Sequence, residues 1–257
     1  MKDIRDHFSR LAPIYTRVRT TDKEPVLFIQ EMLQSVPKIS ATNLGCGAGR
    51  YDYLFLKHFK SRLTLFCVDS NQEMLDQLVK TLGRHRAESY YPIRASVDRL
   101  PLRTQSLDCL FSFNSVHLLP IRDLFREASR VLKNDGYFFI YTRFRSQNER
   151  NIWGRWFPLF AEKEKRLYEL KEMETLLGDY PYLSLGPIQY FQYDRSSTLR
   201  QLVARARNFH YSTFRFYTEE EFEQSLQQFR NNISTQFEPG SVNWQDENVL
   251  LVVRRQR

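Results

Sequence analysis

Short apolar runs alternate with amphipathic stretches along the first two thirds of the chain. Ile39 to Leu44, Leu63 to Val68, Tyr90 to Ala95, Leu107 to Phe113 and Tyr137 to Thr142 read as strands. Helical patterns fill the gaps, and that rhythm predicts an α/β protein built on a parallel sheet. Residues 1–18 and 24–36 have helical spacing, the second with Val26, Ile29 and Leu33 on one stripe. A helix is expected from near Arg50. Ser70-Asn71-Gln72-Glu73 reads as a capping box, with Ser70 as the cap of a helix burying Met74, Leu75, Leu78, Val79 and Leu82. A further helix from Arg122 to Lys133 carries Leu124, Ala128, Val131 and Leu132 inward and stops at Asn134-Asp135-Gly136.

The rhythm breaks after the fifth strand. Residues 144–216 hold helical and irregular pieces rich in arginine and aromatics, with helical spacing over Thr198 to Phe209. A second capping box, Thr218 to Glu221, opens a helix that buries Phe222, Leu226 and Phe229. A sixth strand is expected near Ile233 to Phe237 and a seventh at Val249 to Val253. The expected fold is a Rossmann-like α/β sheet of seven mostly parallel strands, with helices on both faces and an inserted α-helical cap. Residues 1–143 and 217–257 would form the main domain. Residues 144–216 would form the cap and substrate region, over the C-terminal edge of the sheet.

Composition narrows the class. Of 257 residues, 42% are hydrophobic, 14% aromatic and 26% charged, the balance of a globular chain with an aromatic core. No apolar run approaches the roughly 18 residues of a membrane span, and Met1 to Asp6 lacks the apolar centre of a secretion signal. Cys46, Cys67 and Cys109 are too scattered for a disulfide framework or a zinc knuckle. A reducing, cytoplasmic setting and no metal are therefore expected. The net charge of +8 permits nucleic acid, an anionic surface or an acidic small molecule, and selects none.

Glycine is more telling. The chain has only 9, yet Gly45, Gly47 and Gly49 fall together between the first strand and its helix. Glycines there let the backbone turn sharply and approach a ligand. Asp69 ends the next strand, 20 residues past Gly49. An acid at that distance accepts from the hydroxyls of a ribose, so the two features point to an adenosine-type cofactor. A dinucleotide fingerprint would need glycine where Arg50 stands, and the Gly-Lys-Ser/Thr of a phosphate loop is absent.

A G-x-G-x-G turn with an acid after the second strand resembles the class I S-adenosylmethionine (SAM)-dependent methyltransferases. Two further blocks are similar to that family: Leu100-Pro101-Leu102 with Ser106 to His117, and Glu127 to Phe138. The Phe8 to Tyr15 segment looks like the opening of its ubiquinone-biosynthesis-like and trans-aconitate-methyltransferase-like group. The resemblance implies SAM as cofactor, with S-adenosylhomocysteine as product. Gly45, Cys46, Gly47 and Gly49 would pass beneath the methionine part. Asp69 would hold the ribose, with Ser70 and Met74 beside the adenine and Ser96 and Val97 at its edge. Asn114 would begin the segment facing the methionine moiety, and Tyr15 would lie near the cofactor. Many relatives carry an acid where this chain has Asn43, and Asp where it has Ser96.

The sulfonium already activates the methyl group, so a base is required only when the acceptor must lose a proton. His117, His210 and Tyr211 are the candidates. Arg143 and Arg145 alternate with aromatics at strand spacing, which would let both grip a carboxylate or phosphate, and Trp153 could wall a pocket. Each has a plainer reading as packing or as a solvated arginine. The expected activity is methylation of a small acidic or aromatic molecule. The alternatives are an RNA-modifying methyltransferase using the basic aromatic cap and, behind it, a SAM-binding module without catalysis. No membrane partner is expected.

Overall fold

The computed structural model describes residues 2–257; Met1, the first residue of the expected opening helix, lies outside them. The elements follow in order: α1 (Lys2–Leu11), α2 (Tyr15–Val18), α3 (Glu24–Met32), β1 (Ile39–Leu44), α4 (Arg50–Phe59), β2 (Leu63–Asp69), α5 (Gln72–Arg84), β3 (Tyr90–Arg94), β4 (Leu107–Phe113), α6 (Ile121–Val131) and β5 (Leu132–Thr142). Then come α7 (Arg145–Arg150), α8 (Ile152–Trp156), α9 (Phe160–Lys163), α10 (Leu170–Gly178), β6 (Leu183–Ser197), α11 (Leu199–Arg207), α12 (Glu219–Gln236) and β7 (Val242–Arg255).

The seven strands form one sheet in the order β3-β2-β1-β4-β5-β7-β6. The β1–β2, β1–β4, β2–β3 and β4–β5 pairs are parallel. Side-chain bonds at both ends of β7 show that it runs against its neighbours. Arg254 meets Asp135 while Arg143 meets Glu247, and Ser184 meets Arg254 while Asp194 meets Gln245. The sheet is therefore mostly parallel with its last strand reversed, and helices cover both faces, as the hydrophobic pattern predicts. Leu65, Cys67, Cys109, Leu110, Phe111, Phe138 and Phe139 are fully buried, as strands sandwiched between helix layers require.

Several local expectations change. The opening helix breaks at Ala12-Pro13-Ile14, because proline lacks the amide donor and disfavours helical backbone in the residue before it. The cap of α5 is Asn71, not Ser70. Asn71 Oδ1 accepts from Met74 N at 2.9 Å, and Asp69 Oδ1 accepts from Asn71 N at 2.9 Å, so the β2 end starts the helix one residue later. Val79 is 44% exposed, one step round the helix from the buried Leu75–Leu78–Leu82 stripe. Asn134-Asp135-Gly136 lies within β5 instead of stopping α6. Leu107 pairs with Leu132 and Cys109 with Tyr137, so these residues form a bulge, with Asp135 at φ 64°.

The sixth strand is Leu183–Ser197, inside the region expected to be helical and irregular, and residues 233–236 end α12 instead. Ile233 completes the buried Phe222–Leu226–Phe229 stripe at helical spacing, which outweighs the strand preference of its neighbours. At the end of the sheet order, β6 alternates half-buried with exposed residues and shows no continuous apolar run.

The chain divides into two compact units. The first comprises residues 1–142, 171–189 and 250–257; the second comprises 143–170 and 190–249. The expected 144–216 insert thus coincides with neither. The second unit has its own core, where Trp153, Phe157, Phe160, Phe214, Phe222 and Phe229 pack with Leu202, Leu226 and Ile233. Thr198 and Thr218 cap α11 and α12, both through capping boxes.

Candidate functional site

A cavity opens within the first unit at the C-terminal ends of β1, β2 and β4, where the strand order reverses. Open α/β sheets place their ligands at such a switch point. Register brings the right ends together: Asn43 stands opposite Cys67 and Phe111, and Asp69 opposite Arg94.

The glycine turn forms one wall. Gly45 N and Cys46 N both donate to Val68 O, at 2.9 and 3.1 Å, tying the turn to the end of β2. Gly45 has φ 69°, and a Cβ there would lie 2.7 Å from Ser115 Cβ. Ser115 Oγ in turn donates to Leu44 O at 2.8 Å. Gly47 has φ 57° and sits beneath the Tyr15 ring, whose Cε1 would be 3.7 Å from an added Cβ. Gly49 serves packing instead: it precedes α4 with φ 80° and faces Leu78, and it does not line the cavity.

Asp69 borders the cavity with a carboxylate fixed by backbone. Oδ2 accepts from Gly47 N at 2.9 Å and Oδ1 from Asn71 N at 2.9 Å. Each carboxylate oxygen has a second lone pair, so both can still accept from a ligand. Burial raises its carboxyl above the usual range, and the Asn71, Gly47 and Ser70 amides act against that rise.

Asn43 lines the same cavity from the end of β1. Its Nδ2 donates to Asp52 Oδ2 at 3.0 Å, and its buried Oδ1 has no partner. An unpaired buried amide oxygen beside a cavity marks where a ligand donor fits. Asp52 is fully buried, and desolvation pushes its carboxyl up to about 6 despite bonds from Cys67 and Asn43. Asp52, on α4, thus stands directly behind the Asn43 amide. Burial pushes the Cys46 and Cys67 thiols up, which suits packing residues.

Of the other expected cofactor residues, Tyr15, Cys46, Ser70, Met74, Ser96, Val97 and Asn114 all line the cavity. Asn114 has φ 56°, and its N–H donates to Tyr141 O at 2.7 Å. Sequence reasoning missed Phe8, Arg50, Tyr51, Asn71, Phe113 and Ser115, which also line it. In the sequence Arg50 stands out only as a helix start and as the residue that breaks a dinucleotide fingerprint. Asn71 lies within the Ser70–Glu73 segment, where the sequence reading gave the cap to Ser70.

The expected acceptor-side residues lie elsewhere. His117 occupies the short turn after β4 but does not line the cavity. His210 and Tyr211 belong to the second unit; His210 Nδ1 lies 3.0 Å from Arg205 O and its ring 4.8 Å from that of Trp153. Trp153 is a core residue, stacked at 5.2 Å on Phe229. Arg143 is buried, with Nε on Glu247 O at 3.0 Å and a guanidinium nitrogen 3.3 Å from Asp246. Arg145 begins α7, so it does not continue strand spacing, and its Nη1 donates to Leu167 O at 3.0 Å.

A family model described as "Methyltransferase domain" matches residues 42–140. The demethylmenaquinone methyltransferase of Protochlamydia amoebophila is 27% identical over 156 residues, covering 58% of this chain and 59% of that protein. The chain spans about half the length of the curated relatives it matches. Among solved structures, a putative methyltransferase from Bacillus halodurans superposes with TM-score 0.63 at 13% identity, covering 90% of this chain and 99% of that one. Geranyl diphosphate C-methyltransferase from Streptomyces coelicolor, solved with S-adenosyl-L-homocysteine, superposes with TM-score 0.56 at 15% identity, covering 90% of this chain and 75% of that one. The chain has the fold of the class I SAM-dependent methyltransferases.

Proposed function

We propose that the chain is an enzyme that transfers a methyl group from SAM to a small molecule, leaving S-adenosylhomocysteine. The carrying observation is the cavity wall itself: Gly45, Gly47, the Asp69 carboxylate and the unpaired Asn43 oxygen converge at the switch point. The residues fit the cofactor. Asp69 would accept from the ribose hydroxyls, and Met74 and Val97 would pack on the adenine with Ser70 and Ser96 at its edge. The Asn43 oxygen and the turn would face the methionine part, with Tyr15 and Asn114 beside it.

When bound, SAM supplies a methyl group already activated by its positive sulfur. The protein's task is alignment and exclusion of water. Phe8, Tyr51 and Phe113 provide apolar wall for an aromatic or partly apolar acceptor. The N-terminal Phe8 to Tyr15 segment supports placing the chain in the ubiquinone-biosynthesis-like and trans-aconitate-methyltransferase-like group, since Phe8 and Tyr15 both line the cavity. His210, Tyr211 and Trp153 would act by packing, because their contacts are those of a core.

Calorimetric titration with SAM tests the reading. Asp69→Ala removes the acceptor of the ribose hydroxyls and of Gly47 N, so affinity should fall by about 100-fold or more. Unchanged affinity would refute the cofactor site.

A further inference from the structure

The parallel crossovers of the first unit are not alike. A helix joins β1 to β2, β2 to β3 and β4 to β5, namely α4, α5 and α6. The crossover from β3 to β4 carries none and runs through residues 95–106 as turns and loop. That step travels across the sheet in the opposite sense to the first two. A right-handed crossover there would lay its helix on the face away from α4 and α5. Side chains alternate along a strand. Cys67 bonds Asp52 of α4, so Phe66 points to the face away from α4. Register sets Tyr91 of β3 beside Phe66, on that same face. Their ring centroids are 5.5 Å apart and their planes inclined by 30°. Phe66 is half-buried and Tyr91 is 52% exposed. An aromatic pair therefore stands where no crossover helix covers the sheet.

Arginines bracket that pair. Residues 84–103 hold five, Arg84, Arg86, Arg94, Arg99 and Arg103, against two acids, Glu88 and Asp98. All five are exposed, and among the described residues none of them forms an ion pair. Arg84 and Arg86 come before β3, Arg94 ends it, and Arg99 and Arg103 follow it. Both flanks are held in place. Arg86 N donates to Gly83 O at 3.0 Å in the turn after α5. Beyond the strand, Glu127 accepts from Leu100 N at 2.7 Å, and Arg130 donates to the Leu100 and Leu102 carbonyls at 3.0 and 2.7 Å. The strand has 5 residues, so the two basic flanks lie about 17 Å apart.

We propose that this open face of β2 and β3 binds single-stranded nucleic acid, with bases stacked on Tyr91 and Phe66 and phosphates on the flanking arginines. Every base has a π-face that stacks on an exposed ring, and an unpaired guanidinium grips phosphate oxygens in a fork. Arg143 and Arg145, the arginines of the basic aromatic insert, are by contrast engaged within the second unit. A strand from another chain is disfavoured at this edge, because Pro92 lacks the N–H that a ladder needs. Tyr91, Arg86 and Arg99 do not line the cofactor cavity, so this surface is independent of the methyl-transfer reading.

Fluorescence anisotropy with a fluorescein-labelled uridine decamer tests the surface. The wild type should bind at about 50 mM salt, and the log–log salt slope should be about −2 to −3.5, for three to five phosphate contacts. Tyr91→Ala should weaken binding about 5- to 100-fold, while Tyr91→Phe, which keeps the ring, stays within about twofold. Arg86→Ala and Arg99→Ala should each lower the slope by about 0.7. Calorimetry should find SAM affinity within about twofold of wild type in all four variants, which also shows that they fold. Decamer affinity unchanged in Tyr91→Ala overturns the proposal, as does a wild type that binds SAM but no decamer. Polyaspartate competing as well as the decamer would reduce the face to a cluster of charge and overturn it too. So would equally strong binding to phosphatidylserine vesicles that the same variants abolish, since the face would then dock on a membrane. Decamer binding without SAM binding would support this surface and sink the cofactor reading instead.

Discussion

Single residues in this protein divide by whether their polar atoms are spent. Arg143 and Arg145 look like anion receptors in sequence, but Glu247, Asp246 and the Leu167 carbonyl already hold them. Asn43 looks like a weakened copy of an acid, but its amide is oriented by Asp52. Asp52 also makes a pH signature. Burial lifts its carboxyl from 3.8 to about 6, so the folded chain keeps a proton that the unfolded chain releases near pH 4. The folded state binds more protons through this window, so stability from this group falls as pH rises from about 4 to 6. The amount is about 3 kcal/mol on an order-of-magnitude basis. Asp52→Asn should abolish that slope, so the variant gains on the wild type across the window. Urea unfolding at about pH 4.5, 5.5 and 7 measures it, and parallel profiles would contradict the assignment.

At the scale of elements, the motifs that carry the family resemblance turn out to be structural ties around the site. Glu127 accepts from Leu100 N at 2.7 Å, while Arg130 pairs with Glu127 and donates to the Leu100 and Leu102 carbonyls. The Arg130 bond holds the Glu127 carboxyl below its usual range. Asp108 joins Ser40 N on β1 to Lys133 on β5. These bonds clamp the loop before β4 and tie together the N-terminal ends of β1, β4 and β5, at the edge of the sheet opposite the cavity. The glycine turn makes a graded prediction. Gly45→Ala pushes a methyl into Ser115, whereas Gly47→Ala makes only an ordinary 3.7 Å contact with the Tyr15 ring and suffers the left-handed backbone, about 1–2 kcal/mol. Thermal melts should show Gly45→Ala as clearly the more damaging, and equal losses would mean Ser115 yields. The strands of the sheet core were legible, apart from the start of β5, chiefly because buried strands such as β2 and β4 are nearly continuous apolar runs. β6 was not, because half-buried alternation in a polar stretch resembles loop.

At the scale of the molecule, two compact units each have their own core. The second depends on interlocked aromatic rings, with Trp153 set against Phe157, Phe214, Phe229 and His210. Trp153→Ala should cost about 3–5 kcal/mol, lowering the melting temperature by about 10 °C. A shift under about 3 °C would show that the neighbours collapse into the gap. The division into units escaped the linear reading because β6 and β7 are long: residues 183–189 and 250–255 belong to the first unit, 190–197 and 242–249 to the second. A linear reading assigns whole segments to domains, and a strand shared along its length defeats it. Periodicity and glycine placement alone were enough for the α/β class, the first five strands, and the glycine turn with Asp69 at the end of the next strand, because those depend on local burial and backbone freedom. Which side chains still have hydrogen bonds to offer was settled only by folding. A donor or acceptor is free or spent according to partners distant along the chain, as with Asn43 and Asp52 or Arg50 and Thr20.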